Sequence, residues 1–416
     1  MRRGAGIIPV VTLCLLLVAC RTTPQPTPTA SPPIASVTPS PAPSQTPSTT
    51  PFSHGMLTHA SFPARSGQAI RQLWVSPEGT LWVVTEGGIF SYGAEGWSFR
   101  LQERDCHIQG VDGSGWLWTF ANNGQRIAAW DGERWRTYGS AEGWLPLPAT
   151  EYLSPGVGDG LVTDGGGYVW LATGSREIRR FDRSAGRWES LPAEEVGFTR
   201  AYQDGFQGYF LTDIAVGAGR QIWISGCLGA GESLAGDGIR RWSNVRWWSV
   251  TGAESGCIFD LEVDRQGRMW AGSFDALWRF EGVPARQTIY PLPPHERKQF
   301  ISKIDLDARD VPWVEVITYG AAHMFGSVSY LHLDGEEWVS DYAPGDYAPA
   351  SRALDAAGNA WFCKQGGLYQ LADGELALVG ALQTYDCLVA VDGEDRIWVA
   401  VPVGQDAGIW YGTIQP

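Results

Sequence analysis

A tryptophan preceded by an apolar residue recurs at a fixed distance after a tight-turn signal, eight times between Trp82 and Trp398. The runs are Gly79–Trp82, Gly115–Trp118, Gly167–Trp170, Gly219–Trp223, Gly267–Trp270, Asp310–Trp313, Gly358–Trp361 and Glu394–Trp398. Their mean spacing is about 45 residues, in the range where a repeat is one blade of a propeller. An Asp precedes Trp by six residues at Asp112, Asp164, Asp264, Asp307, Asp355 and Asp392; Ser76 and Gly217 take that place in the other two repeats. A short polar side chain there bonds turn amides, and Gly supplies a positive φ, so each motif reads as strand, turn, strand.

Two more pieces follow each motif. One alternates aliphatic with Arg or aromatic positions, as in Gly88–Tyr92, Glu177–Phe181, Gly238–Trp242, Ala276–Phe280 and Gly367–Leu371. That period of two marks a third strand. The other carries a further aromatic, as in Gly96–Phe99, Arg134–Tyr138, Arg187–Leu191, Arg246–Val250 and Glu337–Tyr342, and reads as a fourth, outer strand. The predicted fold is all-β: an eight-bladed β-propeller of four-stranded antiparallel blades, packed through the repeated Trp. Seven blades is the alternative, because the Asp310–Trp313 repeat lacks the turn Gly. Burying an indole removes about 150–250 Å² from water, roughly 4–6 kcal/mol gross at about 25 cal/mol per Å². The last repeat is short, and Met56–Phe62 is expected to supply its missing outer strand and close the ring.

The two recurring motif halves resemble the two-component regulator propeller repeat over Ala69–Gln415. That resemblance implies an extracytoplasmic platform for a ligand or a protein, glycan fragments among the ligands. The sequence departs from the sensors of that family in carrying no downstream helix and no kinase.

Met1–Arg3 is basic, Ile7–Ala19 is apolar, and Leu17–Cys20 resembles the lipobox of bacterial lipoproteins. Thirteen apolar residues are too few to span a bilayer. The expected organisation is a signal peptide at 1–19, a lipidated Cys20 with a Pro/Thr/Ser tether at 20–51, and a propeller domain at 52–416. The alternative is an ordinary cleaved signal with Cys20 incidental. Arg21–Pro51 holds ten Pro and thirteen Ser or Thr and no acid. It cannot bury enough apolar surface to fold, and in polyproline II it would reach roughly 95 Å at about 3.1 Å per residue. Arg21, rather than Asp, follows the Cys, which leaves the outer membrane or cell surface open. Signal cleavage takes the net charge from −14 to −16. The acidic balance, 45 Asp and Glu against 31 Lys and Arg, makes nucleic acid and anionic lipid unexpected partners; the membrane is reached through the lipid alone. A monomer is expected.

Insertions fall on the face opposite the Asp/Gly turns, at 139–160, 192–209, 226–238, 290–302, 318–327 and 342–350. Candidate ligand-binding residues there are Trp144, Tyr152, Tyr202, Phe206, Tyr209, His295, Tyr319, His323 and Tyr347, suited to carbohydrate or an envelope protein. The alternative is that these aromatics pin their own loops. No cofactor and no metal are expected: no C-x-x-C, H-x-x-x-H or H-E-x-x-H is present. The expected role is non-enzymatic binding. One alternative is a lyase or hydrolase, since His295, Glu296 and His323 resemble the His and Glu of virginiamycin-type lyases, which are also propellers. Another is an envelope assembly scaffold. Beyond Cys20, five Cys remain in the mature chain, and the expected disulfides are Cys227–Cys257 and Cys363–Cys387, with Cys106 free; buried free thiols are the alternative.

Overall fold

The structure is a computed structural model. It describes residues 57–414 except 64–68, 94, 148–159, 174–176, 199–207, 231–232, 243–245, 251–256, 283–285, 320–324, 343–350, 356, 373–374, 385–386, 395 and 403–406. The signal, Cys20 and the tether lie outside the described residues.

Eight four-stranded antiparallel sheets follow one another along the chain. Blades 1 to 7 span 70–101, 107–138, 161–192, 208–250, 258–291, 299–342 and 351–381, and blade 8 spans 388–413. In each, the first strand lies innermost. Blade 8 takes its outer strand from Thr58–Ala60, which pairs with Gly408–Thr413 in the register His59 to Trp410. The ring is therefore closed by a strand from the start of the described chain, as the short last repeat predicts.

The count is eight, not seven. Asp310 stands where five of the other motifs carry Gly and adopts the same left-handed conformation (φ 61°, against 84° for Gly167), as Arg220 does at that place in blade 4 (φ 57°). Asp tolerates that region better than most residues, so the turn forms without Gly.

The eight repeated Trp are all buried, at 0–6 % exposure. The core divides into eight clusters, one per seam between neighbouring blades. Trp118 packs with Val169, Leu171, Phe181 and Trp188 of blade 3. Trp270 packs with Ile301, Ile304 and Val314 of blade 6. Trp398 packs with Leu81, Val83 and Phe90 of blade 1, which closes the circle. The Arg of the third-strand pattern has a defined place. Trp170, Trp223 and Trp270 pair across the sheet with Arg180, Arg241 and Arg279. Those guanidinium groups sit over the indoles at 5.2, 5.5 and 5.6 Å, a cation–π geometry.

Both expected disulfides are present, with Cα–Cα distances of 4.6 Å for Cys227–Cys257 and 5.5 Å for Cys363–Cys387. Each ties one blade to the next, 4 to 5 and 7 to 8. Cys106 is a buried free thiol. Burial, then the Glu103 and Asp105 charges, push its pKa up to about 12, so it is inert as a nucleophile.

Candidate functional site

The two faces of the ring differ in height. Second strands end three or fewer residues past the repeated Trp in six blades. In blade 4 the second strand, Gln221–Ala230, runs seven past Trp223, and in blade 6 Pro312–Tyr319 runs six past Trp313. At about 3.3 Å per residue, the hairpins of these two blades stand roughly 10–13 Å above their neighbours. They flank blade 5 on the loop-rich face. Tyr209 lies on the raised part of the blade 4 hairpin and Tyr319 on that of blade 6. Cys227–Cys257 braces the blade 4 hairpin against the start of blade 5.

Three phenylalanines meet between these hairpins, at the seam of blades 5 and 6. Phe259, in the inner strand of blade 5, contacts Phe274 at 5.1 Å and Phe300 of blade 6 at 4.6 Å between ring centroids. Phe259 and Phe274 are half-buried, and Phe300 is buried. The backbone holds them in place. Phe274 bridges to Phe300, the Asp275 N–H donates to the Gln299 carbonyl, and the Leu292 N–H donates to the Asp275 carbonyl. Asp275 takes a left-handed φ of 57° to make this corner. His295 is on the exposed link beside it, its Nδ1 accepting from the Arg297 N–H at 3.1 Å.

Trp144 is elsewhere. It is fully buried, donates its indole N–H to the Gly124 carbonyl at 3.1 Å, and packs edge-on against Trp188 at 5.2 Å. It takes the loop-pinning role and offers no surface to a ligand. Tyr152, Tyr202, Phe206, His323 and Tyr347 lie outside the described residues.

The inner strands line a central cavity of about 670 Å³, with Gln72, Gln109, Asp213, Asp260, Glu262, Lys303 and Asp305 on its wall. Five of these strands carry a polar side chain ten residues before the repeated Trp, and all of them but Lys303 bond the backbone of the next blade. Gln72 accepts from the Ile108 N–H and donates to its carbonyl. Asp213 accepts from the Leu261 N–H at 2.7 Å, Asp260 from the Ile304 N–H at 2.6 Å, and Ser351 from the Val389 N–H at 3.1 Å. These latches were not anticipated from sequence, although the constant ten-residue offset before the repeated Trp was their signal. Asp305 is paired with Lys303 at 3.5 Å and with Arg352. Burial opposes its charge, but the two cations outweigh it and hold its pKa at about 2. A second concavity, about 1000 Å³, opens on the rim of blade 1 between Arg71, Glu86, Phe99 and Arg104.

Among the described residues no group of three or more His, Cys, Asp or Glu is arranged to hold a metal ion, and no helix is long and apolar enough to cross a membrane.

The chain is an eight-bladed propeller in which the hairpins of blades 4 and 6 are raised on either side of blade 5. No family model matches the chain, and no curated protein does. Among solved structures, the propeller of Dos1 is similar at a TM-score of 0.53 and 10 % identity, over 87 % of this chain and 95 % of that one. The extracellular domain of the putative one-component system BT4673 from B. thetaiotaomicron is similar at 0.48 and 14 %, over 87 % of this chain; the chain spans 40 % of that domain's length. Virginiamycin B lyase from Staphylococcus aureus is similar at 0.47 and 14 %, over 86 % and 99 %. At such identities the likeness is one of fold. The motif resemblance to the two-component regulator propeller repeat assigns no family.

Proposed function

We propose that the chain is a non-enzymatic binding propeller of the bacterial cell envelope. In this reading it is lipidated at Cys20, carried on the Arg21–Pro51 tether, and receives its ligand in a cleft between the raised hairpins, over blade 5. The observation that carries the reading is the pair of raised hairpins around Phe259 and Phe274. A rigid recess with half-exposed aromatic rings on its floor is where a scaffold of this kind presents a stacking surface. The acidic balance of the chain disfavours polyanions. Carbohydrate, with its apolar ring faces and rim of hydroxyls, fits such a floor; an envelope protein presenting an aromatic or aliphatic anchor is the second occupant.

The test is a glycan array together with co-purification from membranes, each run with the native chain and with a Phe259→Ala/Phe274→Ala variant. The double substitution is expected to weaken the captured ligand at least about tenfold, the equivalent of roughly 1.4 kcal/mol. Unchanged affinity would move the site off this cleft. Turnover of a captured ligand by the purified chain would overturn the non-enzymatic reading.

A further inference from the structure

Blades 4, 5 and 6 bring carboxylates to one side of the central cavity on the inner strands Gly208–Gly217, Ile258–Val263 and Gln299–Leu306. Asp213 is buried, Asp260 is half-buried, and Glu262 is exposed on the cavity wall. Asp260 and Glu262 are two residues apart on a regular stretch of strand, so they lie on one side of it, roughly 6–7 Å apart along the channel.

The cations nearby are already taken. Asp305 pairs with both Lys303, at 3.5 Å, and Arg352, so that among the described residues no basic side chain is ion-paired with Asp213, Asp260 or Glu262. The hydrogen bonds these three accept come from the backbone N–H groups of Ile214, Leu261, Ile304 and Val263. Such bonds fix the carboxylates in place without bringing a countercharge.

A second observation, on another wall, calls for the same chemistry. Gln109 of blade 2 lines the cavity and is 6 % exposed. Its amide nitrogen is engaged by His107, 2.8 Å from Nδ1, but its Oε1 is buried with no hydrogen-bond partner. A buried carbonyl oxygen in that state is costly and is satisfied by a donor. Trp74 of blade 1 is half-buried on the wall, and blade 1 lies four blades from blade 5 either way round the ring, across the channel from the acids. An indole there suits a cation.

The unmatched groups are spread over blades 2, 4 and 5, and among the described residues no three His, Cys, Asp or Glu converge as a metal ion requires. An elongated ligand reaches what a single ion cannot. Glu262 and Asp305 also line a concavity of about 540 Å³ beside the turn residues Asp307 and Asp310, which joins the cavity to the face of the Asp/Gly turns.

We propose that the central cavity binds a linear aliphatic polyamine, with its ammonium groups on Asp213, Asp260 and Glu262 and one of its N–H groups donated to Gln109 Oε1. Ammonium groups supply the missing positive charge and the missing donor together. Nitrogens separated by a few methylenes repeat at about the Asp260–Glu262 spacing, and the methylenes find Leu161 and Val162 on the wall. This site is separate from the one proposed over blade 5 and does not rest on it.

The experiment is isothermal titration calorimetry of the full chain, disulfides intact, with spermidine at low salt. One saturable site is expected, and its absence overturns the proposal. A neutral diol of similar length is expected not to bind; binding comparable to spermidine would overturn the ammonium assignment. Asp260→Asn and Glu262→Gln keep side-chain size and an acceptor for the Ile304 and Val263 N–H groups. Each is expected to weaken spermidine at least about tenfold, the loss of one charge-assisted hydrogen bond. Glu133→Gln, on the exposed outer hairpin of blade 2, is expected to leave affinity unchanged. Native affinity in both cavity variants, or an equal loss in Glu133→Gln, overturns the site. So does Ca²⁺ or Mg²⁺ binding stoichiometrically and displacing spermidine, which would make the ligand a metal. Should Asp260→Asn not fold, Glu262→Gln decides, since its side chain is exposed and braces no neighbouring blade.

Discussion

At the scale of single residues, the six-residue offset between Asp and Trp is a hydrogen bond as well as a turn signature. In blade 3, Asp164 Oδ1 gathers the Gly166 and Tyr168 amides at 2.8 and 3.0 Å, and Oδ2 accepts the Trp170 indole N–H at 2.8 Å. Blades 2, 5, 7 and 8 repeat the indole bond at 2.5, 3.1, 3.0 and 2.9 Å. One buried carboxylate thus shapes the hairpin and aims the ring that fills the seam. Blades 1, 4 and 6 depart from this. In blade 1, Ser76 takes the place of Asp and its Oγ accepts from the Thr80 N–H at 3.1 Å. In blade 4, Gly217 leaves the space to Trp223, whose Nε1 would lie 2.4 Å from any Cβ there. In blade 6, Asp307 spends Oδ2 on Arg309, and the Trp313 indole N–H has no hydrogen-bond partner among the described residues. Asp164→Ala is therefore expected to cost about 2–4 kcal/mol, and Asp307→Ala about 1–2 kcal/mol less than that. Urea midpoints of the two variants check the difference, and equal losses would mean that the indole bond contributes nothing. Two of these turn carboxylates, Asp307 and Asp392, also bear on acid stability. Burial works against the Asp392 charge, but the Trp398 and Arg396 hydrogen bonds and the turn amides outweigh it and lower its pKa. That contribution is present above the ordinary carboxylate pKa and is lost as pH falls through the depressed value.

At the scale of elements, what the sequence disclosed was whatever is local in the chain. The hairpin, its Trp and the third-strand Arg lie within about fifteen residues of each other, so their pattern survives without the fold. The disulfides were readable because a cysteine after one second strand and another before the next inner strand must meet at one face. The latches at Gln72, Asp213, Asp260 and Ser351 were not, because each bonds a blade some forty residues on. Site residues divide the same way. Long insertions led to Tyr209 and Tyr319, which the fold places on the two raised hairpins. The same reasoning selected Trp144, whose burial depends on Gly124 and Trp188, distant in sequence. Phe259 and Phe274 were missed because a strand bulge and a tight turn leave no insertion to notice. The blade 4 hairpin also depends on Cys227–Cys257, which closes a separation of 30 residues. Replacing both cysteines by Ser is expected to cost about 3 kcal/mol. It should also weaken ligand capture at the cleft, whereas a Cys363→Ser/Cys387→Ser variant should lose similar stability with capture intact. Thermal unfolding paired with the binding assay separates these, and equal loss of capture in both would show that the brace acts through global stability.

At the scale of the whole molecule, a propeller has no inside apart from its seams, so the last seam decides whether the ring holds. Blades 8 and 1 share Trp398, Ala400 and Ile409 with Leu81, Val83 and Phe90, and Ala60 of the closing strand joins that cluster. Leu57 enters the neighbouring cluster between blades 7 and 8 beside Trp410 and Val399. The closing segment thus touches both seams of blade 8, and it also covers the edge of Gly408–Thr413. Removing residues 1–62 would strip the apolar contribution of Leu57, about 1.5–3 kcal/mol, and expose a row of unpaired backbone groups, which templates pairing with another chain. Removing residues 1–56 would leave both features in place. The shorter deletion is expected to give a monomer with an unfolding midpoint unaffected by protein concentration. The longer one is expected to unfold earlier by at least about 2 kcal/mol and to self-associate as concentration rises. Light scattering across a concentration series, with denaturation of each form, reads both. If the two truncations behave alike, the ring is held by the Trp398 cluster alone and the closing strand is only a connection to what precedes it.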